Sequence, residues 1–259
     1  MPESGHDLDV VTNGSGTVLM TDTLSPRFYR ALSLAFELHG RDRRKGSSVP
    51  VLAHLLSVCA IVQQDGGSED EAIAALLHDS LEDKPELVDE QLLRKRFGAN
   101  VLHLVQVATD TPPGWKGGVK PPWRERKQAY IDRIATEPAS SLRPTVADKI
   151  DNVRAILADL QRVGDELWKI FKAGKADQLG YYSSCYRAYV KAGASPRLLA
   201  QLRSLLEELA RVTRHPIELG PSAARVARGR RKANHAPARP PTRGRRSPVS
   251  PRTKPTERG

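Results

Sequence analysis

The chain has 259 residues, 39% of them hydrophobic, with 41 Lys/Arg against 30 Asp/Glu and a formal charge of +11. That length can bury a sizeable core, and no apolar run approaches the roughly 18 residues a membrane helix needs, which excludes a spanning protein. Cys59 and Cys185 are too few for a disulfide framework or a cysteine zinc cluster, and Glu3, Asp7, Asp9 and Asp22 stand where a signal peptide would be apolar, so the expectation is a cytoplasmic protein.

The charge is unevenly placed. Residues 221–259 hold twelve Lys/Arg and a single acid, Glu257, so the rest of the chain is neutral overall. The basic balance therefore describes a tail and says nothing about the folded part. In chain order, residues 1–24 are polar and aperiodic and are expected to form a disordered arm. Ser25-Pro26 reads as a helix start, with Phe28, Leu32 and Phe36 on one face and Gly40 as the stop. A basic loop, 41–48, leads to a second helix over 50–64. Ser68 with Glu71 forms a capping box for a third helix running to Leu81. Pro85 is expected to start a fourth, ended by Gly98, and a fifth covers 99–109. Four prolines and three glycines make 111–122 a loop. Helical periodicity resumes over 123–136, 144–160, 165–171, 176–192 and 196–212, and no alternating strand pattern intervenes. The expectation is an all-α domain over 25–215, followed by a disordered Arg/Pro-rich tail over 216–259.

The sharpest chemical signal is Ala74-Ala75-Leu76-Leu77-His78-Asp79-Ser80-Leu81-Glu82-Asp83. His78 and Glu82 are four apart, as are Asp79 and Asp83, so a continuous helix would stack each pair at its polar end. Burying such groups is costly unless they pair or bind a cation. His-Asp is a mixed nitrogen/oxygen set suited to a divalent transition metal. The spacing alone fits a metal site and a helix-end charge cluster equally well. His54 inside an apolar helical face and Asp148 opening another apolar helix each have a bland reading, as a core histidine and as an acid favoured by the helix dipole. Together with His78-Asp79 they make a plausible four-ligand set on three helices.

The order His, His-Asp, Asp on helices resembles the HD superfamily of metal-dependent phosphohydrolases. Within it the chain is most similar to the hydrolase domain of the RelA/SpoT proteins and to the single-domain small alarmone hydrolases. The matching pieces are Arg44-Lys45-Gly46 with Pro50 and His54, Ala74–Asp79 with Glu82-Asp83, Phe97-Gly98, and Ala147-Asp148-Lys149 with Asn152. The resemblance implies an HD-type helical bundle in which His54, His78, Asp79 and Asp148 hold one divalent ion, manganese in this family. It implies Glu82 and Asp83 as the acids that position or deprotonate the attacking water. Arg44, Lys45 and Asn152 would contact the nucleotide. The implied reaction is removal of the 3′-diphosphate from guanosine tetra- or pentaphosphate. The chain departs from the family pattern at Val51 and Leu55, where a tyrosine and a second proline are expected, and at Asp151, where a histidine or tyrosine is common. An extra acid at 151 predicts weaker binding of a highly anionic alarmone or altered base specificity. Two alternatives stay open: a phosphomonoesterase acting on another nucleotide, and a non-catalytic metal-bound regulatory module tethered by the basic tail. That tail, lacking aromatics, would contact nucleic acid or an acidic partner through charge alone.

Overall fold

A computed structural model describes residues 24–111, 115 and 117–224. The expected disordered arm, apart from Leu24, and the tail from residue 225 onward lie outside the described residues. Among those described, the architecture is all-helical, with nine α-helices, two 3₁₀ segments and an isolated bridge between Arg43 and Pro50.

The first helices follow the local signals closely. Helix α1 (Pro26–His39) is capped by the Ser25 hydroxyl, which accepts from the Arg27 amide. Helix α2 (Val51–Gln64) turns Leu55, Val58, Ile61 and Val62 into the core. Helix α3 (Glu69–Leu77) carries the full Ser68/Glu71 capping box. It is buried on all sides over Ala72–Leu77, which makes it the central rod against which α1, α2, α5 and α7 pack. A helix that is apolar all round belongs in the middle of a bundle.

Two boundaries differ from expectation. The third helix does not run on to Leu81; it breaks at His78-Asp79 and restarts as the single turn α4 (Ser80–Asp83). Pro85 lies in the following turn, and the next helix, α5 (Glu90–Ala108), starts instead at Asp89, whose carboxylate accepts from the Leu92 amide. Gly98 does interrupt it, at φ +92° and ψ 171°, where a residue with a Cβ would be strained.

Helix α6 (Trp123–Ile134) leads through a short 3₁₀ turn to the long α7 (Arg143–Val163). The helix expected over 165–171 is instead a 3₁₀ segment, Gly164–Ile170. Helices α8 (Lys175–Ala192) and α9 (Pro196–Thr213) close the bundle, with Leu198, Leu199, Leu202, Leu206 and Leu209 of α9 buried, mainly against α7. Ile217 packs on the core and Leu219 is buried, so the packed chain continues a few residues past 215.

Two ties orient α7, one to the α2–α3 corner and one to α8 and α6. Arg143 pairs with Glu71, the capping-box acid, and its Nε lies 2.9 Å from Asp65 Oδ2. Thr145 donates to Tyr189 Oη at 2.6 Å, and that phenol is 2.9 Å from Tyr130 Oη. The start of α7 is thereby pinned from both sides.

Candidate metal centre

Three elements deliver the predicted ligands to one point. His54 lies in the first turn of α2, His78 at the C-terminal end of α3, and Asp148 in the second turn of α7. All three are buried, and their ligating atoms lie within 4.8 Å of one another. His54 Nε2 is 3.3 Å from His78 Nε2 and 3.3 Å from Asp148 Oδ1, and His78 Nε2 is 3.6 Å from the same oxygen. Asp79, about one third exposed, stands beside these three, with Oδ1 3.3 Å from His78 Nε2 and Oδ2 3.8 Å from His54 Nε2. Two ligands each about 2.0–2.2 Å from an ion stand about 3–3.5 Å apart, which the His54–His78, His54–Asp148 and His78–Asp79 spacings match and the other two exceed by a few tenths of an ångström.

The donor chemistry fits as well. An imidazole ligates through a nitrogen without a proton, so the other nitrogen must donate elsewhere. His78 Nδ1 donates to the Ala75 carbonyl at 2.8 Å, and His54 Nδ1 faces Asp151 Oδ2 at 2.6 Å. Both Nε2 atoms are thereby left to converge on the ring. The two ring nitrogens oppose each other at 3.3 Å with the Asp148 and Asp79 carboxylates beside them, an arrangement that a cation at their centre would satisfy. Burial works against a charged His78, yet the Asp79 and Asp148 carboxylates outweigh it and push this histidine up to about 9, a measure of how strongly the pocket attracts positive charge.

The candidate water-activating acids flank this ring in a pocket of about 270 Å³ that also contains Arg44, Lys45 and Asn152. Burial raises the Glu82 carboxyl, with the Asp110 charge adding to the effect. Burial, then the Asp79 and Glu82 charges, push Asp83 up to about 7. Lys45 is exposed at the pocket rim. The loop bearing it is shaped by Gly46, at φ +70°, where a Cβ would lie 2.8 Å from Ile170.

Three residues with a stake in the site, Lys149, Asp110 and Lys120, were given no role from the sequence, and Asp151 and Asn152 make contacts beyond those expected of them. Lys149 is buried, pairs with Asp148, and lies 4.9 Å from the Tyr130 ring and 5.8 Å from the Tyr181 ring. Asp110, just past α5, pairs with Arg126 and Lys127 of α6. Lys120 reaches Glu82 Oε1 at 2.8 Å. Asp151 does not project as an extra anion toward a ligand: its carboxylate accepts from Arg44 Nη1 at 3.0 Å and from Ser57, besides meeting His54. Asn152 holds ligand as well as loop, with Nδ2 donating to Asp148 Oδ1 and Oδ1 accepting from Arg44 at 2.7 Å. A spacing signal existed for this pair, since 148, 151 and 152 share one face of α7.

Other candidates separate from the site. Cys59 is buried, and burial pushes its thiol up to about 11, leaving it inert. His39 pairs with Asp42 at 3.1 Å and His103 with Glu137 at 3.5 Å. The tyrosines of α8 present no exposed aromatic face: Tyr181, Tyr182, Tyr186 and Tyr189 are all buried. A larger, mostly apolar cavity of about 510 Å³ lies beside α4 and α5, lined by residues such as Leu81, Val88, Val107 and Trp115, and contains none of the predicted ligands.

A helical bundle that presents His, His-Asp and Asp on one buried ring defines an HD-domain protein. The family model described as HD domain matches residues 31–180, and the chain belongs to this family. Such hydrolases depend on a divalent metal, and the ring described above is the site that fits one. The chain is 32% identical over 141 residues to guanosine-3′,5′-bis(diphosphate) 3′-pyrophosphohydrolase MESH1 of Xenopus tropicalis, covering 53% of this chain and 72% of that one. It is 32% identical over 133 residues to the Drosophila melanogaster protein of the same name, covering 50% and 69%. Among solved structures it is similar to lmo0812 from Listeria monocytogenes, at TM-score 0.52 and 26% identity over 61% of this chain and 99% of that one. A structure titled as a metazoan ortholog of SpoT matches the fold, at TM-score 0.55 and 24% identity over 71% and 96%. Among the described residues no helix is long and apolar enough to cross a membrane.

Proposed function

We propose that this chain hydrolyses guanosine-3′,5′-bis(diphosphate), adding water across the 3′ ester to release pyrophosphate and leave GDP. The observation that carries the reading is the convergence of His54, His78, Asp79 and Asp148 beside Glu82 and Asp83 in one pocket. The names of relatives that share its HD domain support the choice of substrate.

His54, His78, Asp79 and Asp148 would hold one ion, manganese in this reading. Once bound, it lowers the pKa of its water and polarises a phosphoryl oxygen. The remaining demands fall on the chain's own side chains, because phosphoryl transfer asks mostly for positioning and charge neutralisation. Asp83, whose carboxyl is raised by burial and by the neighbouring acids, is placed to take a proton from the attacking water, and Glu82 orients that water. Lys45 and Arg44 face the anionic phosphates across the pocket, with Asn152 beside them. Lys127 and Lys149 add positive charge to the same walls. The twelve Lys/Arg of residues 221–259 would give a salt-dependent, sequence-independent contact with a polyanion, and the compartment that fits the reading is the cytoplasm.

A second reading, hydrolysis of a nucleotide phosphomonoester, is favoured by one observation: the Arg44 guanidinium is already matched by Asp151, so less free positive charge faces a diphosphate. The test is turnover of guanosine-3′,5′-bis(diphosphate) with and without Mn²⁺, in wild type and Asp79→Ala. Manganese-dependent release of pyrophosphate, lost in the variant, is the expected result. Orthophosphate release from other nucleotides, with this substrate left intact, transfers the assignment to the second reading. Tight binding of one ion per chain without turnover of any phosphorylated nucleotide overturns both.

A further inference from the structure

His54 and His78 face the same point, yet their far nitrogens are held in different ways. His78 is oriented by the backbone, through Ala75, and no side-chain substitution removes that partner. His54 depends on a side chain, Asp151, whose carboxylate can only accept, so it dictates a proton on Nδ1 and a lone pair on Nε2. Asp151 is itself fixed. One oxygen accepts from Ser57, three residues along α2 from His54 and on the same face. The other is shared between His54 at 2.6 Å and Arg44 Nη1 at 3.0 Å. The second amino group of Arg44 donates to Asn152, which donates in turn to Asp148. The guanidinium is therefore one residue removed from two predicted ligands, through Asp151 to His54 and through Asn152 to Asp148.

We propose that Asp151 is a positioning residue of the metal centre, which sets the tautomer and orientation of His54 and holds Arg44 docked on the pocket wall. The proposal rests on the metal reading of the site and is independent of which nucleotide is hydrolysed. A buried imidazole whose Nδ1 lost this acceptor would be free to rotate or to place its proton on Nε2, and either change removes a ligand. Arg44 gains from the same carboxylate a fixed direction before any substrate arrives. The position is one at which this chain carries an acid, so the brace is a property of its own sequence.

The test is calorimetric titration of Mn²⁺ into the metal-stripped full chain, comparing wild type, Asp151→Asn and Arg44→Gln. Asn keeps the volume and offers an amide oxygen that is a poorer acceptor, so Mn²⁺ affinity is expected to fall about 10- to 100-fold, the scale typical of outer partners of ligating histidines. Asp151→Ser, expected to lose at least about tenfold, takes its place if the Asn variant does not fold. Arg44→Gln is expected to lose less Mn²⁺ affinity than Asp151→Asn, because Ser57 still holds the carboxylate. Nitrogen-15 shifts of His54 report the tautomer directly and should show Nδ1–H in wild type and a mixture in Asp151→Asn. Unchanged Mn²⁺ affinity in a folded Asp151 variant overturns the proposal, as does an equal loss in Arg44→Gln. Loss of Mn²⁺ affinity in an enzyme that leaves guanosine-3′,5′-bis(diphosphate) untouched would sink the substrate assignment and uphold the brace.

Discussion

The two charged clusters of the pocket are built on opposite principles. Around His54, His78, Asp79 and Asp148 the ligating atoms face one another, with one lysine, Lys149, paired to the outer oxygen of Asp148 and Arg44 held outside by Asp151 and Asn152. Around Glu82 and Asp110 the chain supplies its own cations directly, with Lys120 on Glu82 and Arg126 and Lys127 on Asp110. The first arrangement leaves a charge deficit for an external ion to fill; the second is already balanced. A buried acid that stays ionised needs one of these two partners; otherwise its pKa rises, as at Asp83. Proximity of acids therefore does not by itself distinguish a metal site from a salt-bridge network; the placement of the basic groups does.

The contrast can be broken most sharply at Glu82. Glu82→Gln is expected to lower kcat by about 10²–10⁴ while Mn²⁺ affinity, measured calorimetrically, stays at the wild-type value. A shared loss of both would merge the two clusters into one. Asp148→Ala and Asp79→Ala should separate next. Lys149, buried against Asp148, loses its partner in the first, so urea denaturation without metal should register a loss of about 3–5 kcal/mol. Asp79, one third exposed with no Lys or Arg bound to it, should cost less than about 1 kcal/mol while abolishing metal binding. Similar losses from both would mean that the ring is held by metal-independent packing alone.

Asp110 sharpens the balanced half. Burial alone would raise its carboxyl, but Lys127 and Arg126 beside it hold it down to about 2, against 3.8 for the ordinary group. A folded-state value below the unfolded one stabilises the protein above pH 4, and that contribution drains away as pH falls from 4 towards 2. It amounts to about 2 kcal/mol, so the stability gap between wild type and Asp110→Asn should close over that window in denaturation curves. Lys120→Ala is the smallest case. Its pair with Glu82 is partly solvated, so stability should change by less than about 1 kcal/mol in the same assay.

Much of this was legible in the chain before any coordinates. Ser25, the Ser68/Glu71 box and Gly98 mark helix ends by purely local hydrogen bonding and backbone freedom, and each acts where its pattern predicts. The buried face of α9 follows from apolar periodicity. His54, His78, Asp79 and Asp148 stood out because an ionisable group in an apolar helix has few uses. The misses have different causes. The break at His78-Asp79 occurs where local propensity is indifferent and packing chooses, whereas the start at Glu90 follows a local signal that Pro85 overshadowed, the Asp89 cap. Asp151 looked like an added repulsive charge, because the sequence does not reveal that Ser57, His54 and Arg44 arrive at it from α2 and the basic loop. Helix ends and the identity of the ligands are short-range properties, written in neighbouring residues. Which acid meets a ring nitrogen, which meets a lysine and which is left for an ion depends on how three helices cross, and only the tertiary structure decides it.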